Sequence, residues 1–106
     1  GSARDKCPAD TLQEQRRLAE SLLQAGNNVQ QAVVCFREAL SKAEKLGNMQ
    51  AKGELQGLLA DALEAIGDSS ASEKLLRKMK SDFPYSPVPS FKLANQFRLK
   101  EKWEAS

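Results

Sequence analysis

The sequence predicts an all-α fold of about five helices arranged as antiparallel hairpins, and three observations carry that expectation. Apolar residues recur at steps of three and four along most of the chain, the spacing of one helix face. Gly26-Asn27, Gly47-Asn48 and Gly67-Asp68 cut this pattern into helix-length pieces, because Gly and Asn accept the left-handed conformation that ends a helix. No segment alternates apolar and polar residues as a half-buried strand does. Val33-Val34 is an isolated β-branched step inside a helical pattern.

The first helix is expected to start near Cys7-Pro8-Ala9-Asp10. Pro8 suits a first turn, and Asp10 with Gln13 has the spacing of a capping pair. Leu12, Leu18, Ala19, Leu22 and Leu23 form its apolar stripe. A second helix follows over about Val29 to Leu46, with Ala32, Val33, Phe36, Ala39, Leu40 and Ala43 inward. A third covers about Met49 to Ile66, burying Leu55, Leu58, Leu59, Ala62, Leu63 and Ile66. Gly53 and Gly57 inside it each cost about 1 kcal/mol relative to Ala, so they imply close packing or a soft helix start. The fourth spans about Ser70 to Ser81, capped by Ser69 or Ser70, with Leu75, Leu76 and Met79 inward. Pro84, Pro87 and Pro89 then interrupt helix. A fifth runs from about Ser90 to Lys100 with Phe91, Leu93, Ala94 and Phe97 apolar. The connections are short, which makes neighbours antiparallel.

The chain has 106 residues, 41% hydrophobic, 28% charged and 6% aromatic. It is too apolar for a disordered chain, and no stretch approaches the roughly 20 apolar residues that span a bilayer. The opening Gly1-Ser2 without Met reads as an expression scar on an excised fragment. Residues 1–9 are therefore read as scar and flexible start, and residues 10–106 as the domain. The net charge of +2 is unevenly distributed. Residues 38–73 carry a net charge of −4 and residues 74–102 carry +6, a pattern that can steer a charged partner. Cys7 and Cys35 are too few for a disulfide framework. Read as two free thiols, they point to a reducing compartment, the cytoplasm or the nucleus.

The chain also repeats itself. Leu18-Ala19-x-x-Leu22-x-x-x-Gly26 is echoed by Leu59-Ala60-x-x-Leu63-x-x-x-Gly67, and more weakly by Leu93-Ala94-x-x-Phe97-x-x-x-Glu101. Ala32-x-x-x-Phe36-x-x-Ala39 follows the first turn. Ser72-x-x-x-Leu76-x-x-Met79, with Pro84 five residues on, follows the second. This resembles the tetratricopeptide repeat, TPR, a hairpin of about 34 residues. Ala60 to Ala94 has that spacing, whereas Ala19 to Ala60 is longer by seven, so the repeats look like the stretched, degenerate kind found in long-helix members of the family. Ser72, Met79 and Glu101 depart from the usual Ala, Ala and Gly. The resemblance implies a short right-handed solenoid of about two and a half repeats, over residues 10–46, 49–81 and 88–106. Trp103 resembles the aromatic that opens a second helix in the third repeat.

No catalytic set is visible. Without His there is no Ser-His or Cys-His pair, no Gly-rich loop cradles phosphate, and two Cys alone make no ordinary zinc site. Glu54, Asp61 and Glu64 share a helix face, read as solvated carboxylates rather than an acid–base pair. The expectation is a protein that is not an enzyme and takes no cofactor or metal. The family resemblance instead implies a groove lined by the first helix of each hairpin, binding a peptide or helix of a partner protein. The matching positions are Gln13, Arg16, Arg17, Glu20, Leu23 and Gln24; then Glu54, Gly57, Leu58, Asp61, Glu64 and Ala65; then Val88, Phe91, Lys92, Asn95, Arg98 and Leu99. Of these, Arg16, Arg17, Glu20, Leu23, Gln24, Leu58, Asp61, Glu64, Lys92, Asn95 and Arg98 are the expected partner-binding residues.

Some members of the family clamp the C-terminal carboxylate of Hsp70 or Hsp90. Here Glu20 and Leu58 stand where the clamp has Asn, and Val88 replaces a further clamp residue, so that tail is not the expected ligand. Nucleic-acid binding by the basic end is the alternative, through Lys74, Arg77, Lys78, Lys80, Lys92, Arg98, Lys100 and Lys102. It is disfavoured here because Phe91 and Phe97 are read as packing residues rather than stacking platforms. A third reading is a structural segment of a longer solenoid. A monomer is favoured, with the fifth helix docking through Phe91 and Leu93 between helices three and four. Homodimerisation through the unpaired half-hairpin is the runner-up.

Overall fold

The computed structural model describes residues 6–105, with side chains to residue 102. The described residues form five helices and no strand: α1 (Leu12–Ala25), α2 (Val29–Leu46), α3 (Met49–Ala65), α4 (Ser69–Asp82) and α5 (Val88–Ala105). Each helix packs on the next, and α1 also touches α3.

Three punctuation marks set the helix ends. Gly26 and Gly47 close α1 and α2 in the left-handed conformation, at φ 65° and 69°. There a side chain would crowd the backbone. Asn27 and Asn48 then donate back into the last turn: Asn27 N–H to Leu22 O at 3.2 Å, Asn48 N–H to Ala43 O at 2.9 Å. The same short connections start the next helices. Asn48 Oδ1 accepts from Ala51 N–H, and Asp68 Oδ1 accepts from Ala71 N–H, each at 3.1 Å. Asp68, rather than Ser69 or Ser70, is thus the cap of α4.

The first helix starts later than its sequence suggests. Thr11 is the cap, accepting from Glu14 N–H at 3.1 Å while its hydroxyl donates to Glu14 Oε1 at 2.9 Å. The local bonds of a capping box are therefore made one residue beyond the Asp10–Gln13 pair.

Cys7 and Cys35 are not free thiols: they form a disulfide with Cα atoms 4.8 Å apart. The argument for a reducing compartment loses its premise. Cys7 is also buried rather than frayed. Its N–H donates to Glu38 Oε2 at 2.7 Å. Buried Gln15 completes the strap, donating to Ala9 O and Glu38 Oε1, each at 3.0 Å, and accepting from Lys42 Nζ at 2.9 Å. The segment before α1 is thereby fastened to α2.

The main core lies among α1, α2 and α3. Fully buried Phe36 and Leu55 fill it, and Ala19, Ala32, Ala39, Ala43 and Ala62 let the helix backbones approach. A smaller cluster of Ala60, Leu76 and Met79, flanked by Leu75, Phe83 and Leu93, joins α3, α4 and α5. Gly53 lies against Phe83, and a Cβ on it would meet the ring at 3.4 Å, an ordinary contact, so the packing there does not demand Gly. Ile66, expected inside, is exposed because α3 ends at Ala65 and the chain turns there.

The fifth helix departs most from expectation. It begins at Val88, with Pro89 in the first turn, where the missing N–H has no intrahelical role. The Pro89 side chain is fully buried. Leu93 docks on the smaller cluster as expected, but Phe91 and Phe97 are 67% and 65% exposed, and Ala94 is exposed too. Nothing packs over that side of α5 among the described residues as a second hairpin helix would. The helix runs on to Ala105, so the chain does not turn at position 103 to open a second helix as expected; the Trp103 side chain lies outside the described residues. No helix is long and apolar enough to cross a membrane among the described residues.

Candidate functional site

The sides of α1, α3 and α5 that face one another form two adjoining clefts. One, of about 470 Å³, has Arg16 and Glu20 of α1 on one side and Val88 and Lys92 of α5 on the other. Gly53, Glu54, Gly57, Leu58 and Asp61 of α3 lie between, with Met79 and Phe83. The second, of about 450 Å³, continues between α3 and α5, where Asp61 and Glu64 face Val88, Phe91, Lys92, Asn95 and Leu99 above Leu76. Asp61, Val88 and Lys92 line both, so the two are halves of one surface.

Of the residues singled out from sequence, Arg16, Glu20, Leu58, Asp61, Glu64, Lys92 and Asn95 line these clefts. So do Glu54, Gly57, Val88, Phe91 and Leu99 from the wider set. Arg17, Leu23, Gln24 and Arg98 do not, nor do Gln13 and Ala65. Leu23 instead packs partly buried against the main core.

The cations lining the clefts, Arg16 and Lys92, are each paired with a carboxylate. Arg16 Nη1 pairs with Glu54 Oε1 at 2.5 Å across to α3, and its Nε with Glu20 Oε1 at 3.3 Å. Burial is the largest single influence on its guanidinium and lowers the pKa, but the two carboxylates together hold it above the ordinary value. Lys92 Nζ reaches both oxygens of Asp61, at 2.8 and 2.9 Å, and ties α5 to α3. Such half-exposed pairs contribute little stability. They do fix where three helices stand relative to one another.

Glu64 differs from the other carboxylates. It is half-buried rather than solvated, and its Oε1 is enclosed with no hydrogen-bond partner.

Polar residues not singled out for the site support its walls. Ser72, at a position where the repeat pattern has Ala, is buried; its hydroxyl donates to Ala60 O at 2.9 Å and accepts from Gln96 Nε2 at 2.6 Å. One side chain thus links α4 to both α3 and α5. The departure from Ala was the available signal. Gln56 is buried and donates to Asp82 Oδ2 at 3.1 Å, tying α3 to the end of α4; nothing in the local sequence marks it. Among the described residues no cluster of His, Cys, Asp and Glu could hold a metal. Set against protein-family models, curated proteins and solved structures, the chain finds no match in any of the three.

Proposed function

We propose that this chain is a non-enzymatic protein–protein interaction module of tetratricopeptide-repeat type, binding a peptide or helix of a partner between α1, α3 and α5. The observation that supports it is the continuous cleft. Residues far apart in sequence meet there around exposed Val88, Phe91 and Leu99, with the Arg16–Glu54 pair in one half and the Lys92–Asp61 pair where the halves join. Apolar surface supplies the driving force for such capture, and charge around it sets register. The test compares partners recovered by the chain with those recovered by a Phe91→Asp/Leu99→Asp variant. Both positions are exposed, so the fold is retained. A partner lost with the variant, whose binding protects α3 and α5 from hydrogen exchange, is the expected result. Equal recovery by both proteins overturns the reading.

One observation favours a second reading. The exposure of Phe97 and Phe91 removes the packing explanation that set nucleic acid aside. Phe97 stands beside Arg98 and near Lys100 on α5, a pairing of ring and cation that suits single strands. Salt-sensitive binding of a single-stranded oligonucleotide, lost on Phe97→Ala, would select this reading.

A further inference from the structure

We infer that the α3–α5 end of the cleft takes a partner segment in which a Lys or Arg stands next to a large apolar side chain. This rests on the interaction-module reading and names the chemistry of its ligand. Two observations carry it. Glu64 lines this end, and no hydrogen-bond donor among the described residues reaches its Oε1. A carboxylate accepts best from a cation. Facing it across the cleft, Val88, Phe91 and Leu99 are large, apolar and exposed. A segment with a cation for Glu64 and an apolar neighbour for Phe91 and Leu99 satisfies both in one step.

The charge balance selects against an acidic ligand. Among the described residues lining this end, the carboxylates are Asp61 and Glu64 and the cation is Lys92. Lys92 is already held by Asp61, so the remaining charge is that of Glu64, and an incoming carboxylate meets repulsion. The same fact disfavours a second copy of this chain. A two-fold pairing of this face brings the same patch to both sides, and the patch carries no uncommitted cation to offer Glu64.

The experiment is selection from a random-peptide display library on the immobilised chain, followed by fluorescence anisotropy with the enriched peptides. Lys or Arg adjacent to Leu, Ile, Val or Phe should be enriched. Affinity should fall by about ten-fold or more on Glu64→Gln, the scale of a charge-assisted hydrogen bond. Asn95→Lys, which sets a competing cation in the same cleft, should weaken binding in the same direction. Lys45→Gln, exposed on α2 and outside the cleft, should leave binding unchanged. Thermal melts check that the variants fold, and Asn95→Lys carries the test if Glu64→Gln does not. Peptides that lack a basic residue, or that bind both variants like the parent, overturn this inference. If such peptides are still lost on Phe91→Asp, the interaction-module reading stands without it. Failure to enrich any peptide overturns both. A dimer in sedimentation equilibrium that is dispersed by Phe91→Asp makes a second copy the occupant and also overturns the inference.

Discussion

Phe36 and Phe97 both stand in the apolar stripe expected of their helices, yet one is fully buried and the other 65% exposed. Around Phe36, α1 and α3 close over α2, alanines draw the backbones together, and a disulfide strap seals the outer edge. Around Phe97, α5 rests on α4 and α3 by a short seam: Pro89, Leu93 and the Ser72–Gln96 hydrogen bond. A helix covered on both sides becomes core. A helix covered on one side presents its remaining apolar residues as a surface. The closed end and the open end are thus built from the same kinds of side chain, separated by how many neighbours each helix has.

The sharpest test of that contrast pairs two truncations. Phe36→Ala should destabilise the chain by about 3–5 kcal/mol, since the cavity lies in a closed core. Phe97→Ala should change stability little, within about 0.5 kcal/mol, as exposed substitutions do. Urea unfolding of both variants checks this, and comparable losses would show that the two ends are equally packed. A somewhat smaller effect is expected from opening the strap. The disulfide spans 28 residues, and its removal in a Cys7→Ala/Cys35→Ala variant should cost about 2–4 kcal/mol. If oxidised and double-variant proteins unfold at the same urea concentration, the strap adds nothing to the core it covers.

At the seam, Gly57→Ala should stabilise by about 0.5–1 kcal/mol, the helical advantage of Ala over Gly. The added methyl would meet only Lys92 Cε at 3.7 Å and Met79 Cε at 3.9 Å, both ends of flexible chains. A loss instead of a gain in thermal denaturation would mean that α5 sits more tightly on α3 than its exposed face suggests. The mildest effect is confined to acid. The hydrogen bond from Gln56, followed by contacts with Lys52, holds the Asp82 carboxyl below its ordinary value of 3.8 despite the opposing effect of burial. A depressed carboxylate contributes stability that is complete above its unfolded pKa and disappears as pH falls through the folded one. Stability should therefore decline below about pH 4. Asp82→Asn, which can still accept from Gln56, should lack that part of the decline in unfolding measured across acidic pH.

Much of the fold was legible in the sequence where local chemistry decides it. Gly26-Asn27 and Gly47-Asn48 bracket α2 so closely that both its ends follow from them, whereas the cap of α4, expected at Ser69 or Ser70, falls on Asp68. Thr11-x-x-Glu14 and Asp10-x-x-Gln13 compete for the same start, and only the folded geometry shows that Thr11 takes it. The disulfide was illegible because pairing depends on Cα proximity across a turn and two helices, not on spacing. For α5, apolar residues at 88, 91, 93, 94, 97 and 99 spread around the helix, so periodicity could not say which would be inside. In the site, the repeat resemblance implied that Arg16, Leu58, Asp61 and Lys92 share one groove, and all four line the clefts. It could not show that Arg16 and Lys92 are each held by a carboxylate from another helix, or that Glu64 keeps an enclosed oxygen.

The buried Pro89 gives α5 a fixed root, and a rod fixed at one end is a lever. With a rise of about 1.5 Å per residue, Leu99 lies roughly three times as far from that root as Lys92 does. Any tilt about Pro89 therefore moves the apolar jaw at Leu99 about three times as far as the ion pair at Lys92. The Ser72–Gln96 hydrogen bond, seated between the two, acts as a stay on that swing. The width of the cleft is thus tied to a buried hydroxyl of α4, through a Gln96 side chain that itself lines the cleft.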